Sequence, residues 1–228
     1  RCAVPAAFVD RISLEDHQKA ADYTCGKSRL GMVELAVSTA LLLALTTGGL
    51  LQAIADLCSR YFPETGYAYG LALTGAVIVL GFLADLPADL YRSFVLEARY
   101  GFNKLTWRLY LADLVRHALL GLLIGAPLLL GILWLMTRMG SLWWLWVWLF
   151  WMGFNLLALL LYPTLIAPLF NKFQPLDNPG LKSRIEALLE RCGFRASGLF
   201  VMDGSKRSTH GNAYFTGFGR GKRIVFYD

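Results

Sequence analysis

The sequence predicts an all-α polytopic membrane protein with four transmembrane helices, running into the start of a small α+β cytoplasmic domain. Composition points there first. Of 228 residues, 56% are hydrophobic and 17% charged, against about 25% charged in a soluble domain. Four apolar stretches are each long enough to cross roughly 30 Å of hydrocarbon. The connections between them alternate between rich and poor in Lys and Arg. Such hydrophobicity excludes a disordered chain and argues against a soluble globule.

The stretches are 33–55, 69–86, 111–136 and 142–166. Helix is the reading for each, because in lipid a helix satisfies its own backbone hydrogen bonds. Five Lys or Arg precede the first stretch and ten follow the last. The middle connection carries four (Arg92, Arg99, Lys104, Arg108), and the two outer ones carry Arg60 and Arg138 alone. The positive-inside rule then puts both ends and the loop 86–110 in the cytoplasm. The connection Thr137–Ser141 is so short that the last two spans form an antiparallel hairpin. Trp143, Trp144, Trp146, Trp148 and Trp151 open its second arm. They read as interfacial anchors, with an aromatic ligand cage as the alternative.

After Ile166 the composition changes, which divides the chain into residues 1–167 and 168–228. Pro168, Pro175 and Pro179 break any continuing helix. Asn178 is an N-cap type, with Pro179 at the first helical position. Leu181, Ile185, Leu188 and Leu189 then mark one face of a helix over Gly180–Cys192, which Gly193 closes. Strands are expected over Leu199–Asp203, Asn212–Phe218 and Arg223–Tyr227. The chain opens at Arg1 without a signal-peptide pattern and stops inside the last strand. The expectation is a fragment of a longer protein.

Several constellations invite chemistry. Cys2, Cys25, Cys58 and Cys192 contain no CxxC, and His17, His117 and His210 lack metal-ligand spacing. No metal ligand and no catalytic residue is therefore expected in this chain. Asp113, Arg116 and His117 share a helix face and read first as a local pairing near the membrane boundary, although intramembrane ionisable groups are also functional candidates. Asn155 reads as an interhelical donor. The segment from Gly217 to Lys222 precedes a strand, so it reads as a hairpin turn and not a phosphate loop. Asp203, Ser205, Ser208 and His210 are triad residue types without triad evidence. Tyr91–Thr106 reads as a membrane-flanking helix broken at Gly101. Attraction to lipid headgroups accounts for the basic tail, so the bilayer is an expected partner and nucleic acid is not.

Three segments carry a resemblance: Phe94–Thr106 (FVLEARYGFNKLT), Tyr162–Leu176 (YPTLIAPLFNKFQPL) and Phe200–Val225 (FVMDGSKRSTHGNAYFTGFGRGKRIV). In order and spacing they resemble the CAAX prenyl protease family of integral-membrane zinc metallopeptidases. The resemblance implies that the α+β part begins a cytoplasmic peptidase domain. The zinc cofactor would sit in an HExxH helix with a downstream Glu. The chain has no HExxH, so the zinc ligands and catalytic Glu are expected beyond Asp228, and the family's first membrane helix before Arg1. On that expectation the fragment is inactive alone.

The parent activity so implied is hydrolysis of peptide bonds in membrane-associated proteins or peptides, prenylated ones among them. By resemblance, Asn212, Ala213 and Tyr214, with His210, form a strand edge to which an extended substrate adds. The alternative is an inner strand. Gly211 departs from the family's usual Ser. Glu97, Asn103 and Lys104 are expected to brace the second cytoplasmic loop. The rival to an enzyme is a non-catalytic polytopic protein, a scaffold or a transporter-like bundle. A lipid-modifying enzyme using Asp113 and His117 has little support.

Overall fold

A computed structural model describes residues 3–4, 10, 12–194, 196–217 and 222–228. It divides into two compact units, Arg1–Asn103 and Lys104–Asp228, and each is taken by itself. Four of its helices are long and apolar enough to cross a membrane.

In the first unit, α1 runs Leu14–Thr46. Ser13 caps it, accepting from the Asp16 amide at 3.0 Å, and Glu15 and Asp16 sit in its first turn where the helix dipole favours them. At 1.5 Å per residue, 33 residues reach about 50 Å, well beyond the hydrocarbon layer. The expected span 33–55 is corrected here: α1 ends at Thr46, and α2 (Leu50–Ser59) is a separate short helix. The cause is the Gly48-Gly49 pair. A Cβ at Gly48 would stand 2.9 Å from the Ala44 backbone, and Gly49 takes φ +72°. Hydropathy runs straight through this break because both sides are apolar.

The helix α3 (Tyr67–Tyr91) continues as a π-helical turn, Arg92–Glu97. Arg92 pairs there with Glu34 of α1. Leu96 is buried, and a Cβ on Gly26 would come within 2.8 Å of it, so glycine permits this close approach. Tyr23 meets Tyr100 and Phe102 edge-on at 5.2 and 5.1 Å. The Glu97 carbonyl accepts from the Phe102 and Asn103 amides at 2.9 and 3.4 Å, closing the helix at Gly101 as its sequence suggests.

In the second unit, Thr106 caps α4 (Trp107–Arg138), accepting from the Leu109 amide. A turn at Gly140, φ +56°, leads into α5 (Trp143–Leu161). A Cβ on Gly131 would fall 2.8 Å from Phe150, which shows how tightly α4 meets α5. The tryptophans of α5 are all exposed on its surface. Asn155 donates to the Trp151 carbonyl of its own helix at 2.7 Å, where an interhelical bond was expected. The helix α5 passes into a second π-helical turn, Tyr162–Ile166, at Pro163, and then into the short α6 (Ala167–Phe170).

Four strands follow: β1 (Phe173–Pro175), β2 (Gly198–Met202), β3 (Ala213–Thr216) and β4 (Arg223–Tyr227). The sheet order is β1-β2-β4-β3, with β2 and β4 parallel and the outer pairs antiparallel. The register aligns Phe200, Val225 and Tyr214 in one row. They share a face with Met202 and Tyr227, because side chains alternate along a strand. Val225 is the most buried side chain described, and burying such a side chain stabilises by about 1.5–3 kcal/mol. The helix α7 (Pro179–Arg191) stands between β1 and β2 in the chain. Asn178 accepts from the Leu181 amide at 3.0 Å and Gly193 takes φ +64°, so both predicted ends hold. Residues 218–221 of the candidate turn Gly217–Lys222, and with them the end of the expected strand Asn212–Phe218, lie outside the described residues.

Replacing Asn178 by Ala should lower the opening free energy of α7 by about 1 kcal/mol, whereas Asp should keep the cap. Amide hydrogen exchange across Leu181–Ser183 reads the difference, as roughly fivefold faster exchange in the Ala variant.

Candidate functional site

The sheet presents β3 as an edge: it pairs with β4 on one side, and among the described residues no strand pairs with it on the other. Its polarity follows from the register. The Tyr227 amide donates to the Asn212 carbonyl at 2.9 Å, so Asn212 is hydrogen-bonded to β4. Antiparallel bonding alternates, so Tyr214 and Thr216 also turn their backbone to β4, while Ala213 and Phe215 turn theirs outward. The Ala213 amide is already held by the Asn212 side-chain oxygen at 2.8 Å. Phe215 keeps both its N–H and its C=O for the edge.

The four residues expected to meet substrate thus stand together but not alike. Ala213 contributes backbone to the edge. Tyr214 points its side chain towards the π-helical turn at Tyr162, beside a cavity of about 160 Å3. Burial pushes the Tyr214 phenol up, and the neighbouring Tyr227 and Tyr162 add to it. It stays protonated at working pH and can donate, here to the Met202 sulfur at 3.8 Å. His210 and Asn212 lie in the exposed lead into the strand, with the His210 amide donating to Ser208 Oγ at 3.2 Å. Phe215 was missed by sequence reading. Its exposure of 70% and its edge contact with Phe194 at 5.8 Å set it on the opposite face from Tyr214.

The lead is held by a polar cluster. Asp203 Oδ1 accepts from the Lys172 amide at 2.7 Å, while the Asp203 amide donates to the Lys172 carbonyl at 3.2 Å. Lys206 pairs with the same carboxylate. Burial alone would raise the Asp203 carboxyl, but the bonds from Lys206 and the Lys172 amide outweigh it and hold the group below its usual range. Ser205 binds Asp228 through its amide and its hydroxyl, both at 2.8 Å. Those contacts hold Asp228 low. Asp203 and Ser205 are therefore engaged in shaping the turn.

Arg207 follows. Its guanidinium donates to Asp113 Oδ2 (2.8 Å), Asn171 Oδ1 (2.7 Å) and the Phe170 carbonyl (3.0 Å). Asp113 also accepts from Arg116 at 3.1 Å, as its spacing on α4 predicts. His117 stacks on Phe170 at 4.4 Å. These groups rim a cavity of about 770 Å3 that continues along Gly121 and Gly125 of α4. Another cavity, of about 850 Å3, lies in the other unit between α1 and α3 and holds none of the predicted site residues.

Among the described residues, no three His, Cys, Asp or Glu groups stand close enough to hold a metal ion. The donor set of the described residues does not fit zinc.

Membrane-length helices followed by a small mixed sheet with a braced polar turn define a polytopic membrane protein. The comparisons specify it further. Residues 1–172 match the family model described as CAAX prenyl protease N-terminal, five membrane helices, and residues 175–228 match peptidase family M48. The chain belongs to the CAAX prenyl protease family. It is 34% identical to the CAAX prenyl protease 1 homolog of Arabidopsis thaliana, over 99% of this chain and 54% of that protein. It is 42% identical to CAAX prenyl protease 1 of Saccharomyces cerevisiae, over 74% of this chain and 38% of that one. The crystal structure of S. mikatae Ste24p superposes with a TM-score of 0.85 at 34% identity, covering 99% of this chain and 53% of the other. The chain spans about half the length of the curated relatives it matches.

Because the Asp203 carboxyl is held low, its stabilising contribution is complete above its ordinary value of 3.8 and is lost as pH falls through its lowered value. Thermal unfolding should therefore show an acid limb that Asp203→Asn flattens. An unchanged limb in that variant would remove Asp203 as its source.

Proposed function

We propose that this chain is part of a membrane-embedded zinc metalloendopeptidase that hydrolyses peptide bonds of membrane-associated proteins or peptides. The observation that carries the reading is the β3 edge. An extended peptide adds to it through the Phe215 N–H and C=O and the Ala213 C=O, main-chain groups that every peptide can pair with. Tyr214 lends a protonated phenol beside the edge, and His210 and Asn212 flank the entry. Substrates include prenylated chains, a reading supported by the names of the relatives. Residues 1–167 supply the membrane-helix region and 168–228 begin the peptidase domain.

The metal is zinc, held by an HExxH helix outside these 228 residues, since the sequence contains none. When bound, zinc supplies Lewis acidity and an activated water. What the present residues do is bind and align the peptide. Both ends face the cytoplasm, a reading supported by the alternation of Lys and Arg between the connections.

The full-length protein should bind about one zinc per chain and cleave peptide in a chelator-sensitive manner. Zinc-free protein without cleavage would support a scaffold instead. Phe215→Pro removes an outward N–H while sparing the bonds to β4. It should lower kcat/KM at least about tenfold with zinc content unchanged. Equal activity in that variant would count against docking on this edge.

A further inference from the structure

The polar turn before β3 holds a contact that docking alone does not require. We propose that Arg207 is a positioning residue: pinned to Asp113 of α4, it sets where the β3 edge lies and hence how a peptide aligns on it. The inference rests on the peptidase reading above.

The Arg207 side chain reaches three partners. Its Nε and Nη2 both stand 2.8 Å from Asp113 Oδ2. Nη1 and Nη2 reach the Asn171 side chain and the Phe170 carbonyl at the end of α6. Its own carbonyl accepts from the Lys104 amide at 3.1 Å, just before α4. One residue therefore ties the approach to α4, α4 itself and the exit of α6 to a single point of the chain.

The lead to the strand starts at that point. Ser208 makes an isolated β-bridge, and residues 209–212 lie in neither helix nor strand. Behind Arg207, the Arg207 and Ser208 amides bond to the Gly204 carbonyl at 3.0 and 3.3 Å. Ahead, the His210 amide donates to Ser208 Oγ at 3.2 Å, and the Tyr227 amide donates to the Asn212 carbonyl at 2.9 Å. A lead this short cannot absorb a displaced start without moving His210, Asn212 or the outward groups of Ala213. The side chains are only part exposed, 25% for Arg207 and 14% for Asp113, so water competes weakly for the pair. Lysine could not substitute: its single ammonium cannot span a carboxylate, an amide oxygen and a carbonyl in one plane. Arg116 touches Asp113 from the same helix and is half exposed, so it supports the carboxylate without reaching the lead.

The test uses the full-length protein, reconstituted in vesicles, with Arg207→Lys, Asp113→Asn and Arg116→Ala. Zinc content, melting temperature, peptide kinetics and hydrogen exchange are measured on each. Arg207→Lys and Asp113→Asn should speed exchange over residues 208–216 and raise KM about tenfold, with kcat within about twofold and zinc unchanged. Arg116→Ala should match the wild type in both. Unaltered exchange in Arg207→Lys overturns the proposal. So does faster exchange with an unchanged KM, because the edge would then not be where the peptide aligns. Joint loss of zinc, melting temperature and kcat overturns it in favour of a merely structural role. A wild-type protein that cleaves nothing sinks the peptidase reading instead, and that failure is recognised by its presence before any substitution.

Discussion

One face of the second unit's sheet turns towards the end of a membrane-length helix across a small cavity. Phe200, Val225 and Tyr214 line up across three strands, and opposite them lie Tyr162, Pro163, Ala167 and Pro168. A sheet gains stability by packing a face against a helix. Here α5 continues past the lipid and bends. The bend is a π-helical turn at Pro163, where proline has already removed a backbone donor. Helix and sheet are thus joined without a linker, and the strand that α5 supports inherits a defined position.

The position of β3 matters because its chemistry is directional. Alternation along an antiparallel strand leaves two residues, Ala213 and Phe215, with backbone groups turned away from β4. Asn212 folds its amide oxygen onto one of those four groups. The remaining three are, on the proposed reading, the groups that an extended chain would pair with. Such an edge suits a hydrolase acting on varied peptides, since main-chain pairing gives affinity without demanding particular side chains.

Features set by neighbouring residues were legible in the sequence. Asn178, Pro179 and Gly193 mark α7 at both ends, and the alternating run Arg223–Tyr227 is β4 as expected. Non-local features were not. β1 holds only Phe173–Pro175 and contains a proline, so nothing but its pairing with β2 makes it a strand. The end of α1 at Thr46 depends on the conformation of two glycines within an apolar run, to which hydropathy is blind. The bond between Asp113 and Arg207 joins residues 94 apart. An Asp on an apolar helix signals a missing cation, and Arg116 at the adjacent turn supplied a sufficient local answer.

An unpaired strand edge is also a hazard, because it templates pairing with other chains. Here the hazard is contained by length and by tethering. β3 has four residues and two outward-facing positions, too few for a stable cross-strand ladder with another copy. Its lead is anchored through a charged pair to a helix that spans the membrane, which restricts the directions from which a partner can approach. A short extended peptide presented at the membrane surface meets those restrictions, whereas a broad sheet edge does not. On the proposed reading, the same brevity that protects the edge from aggregation also selects short extended peptides.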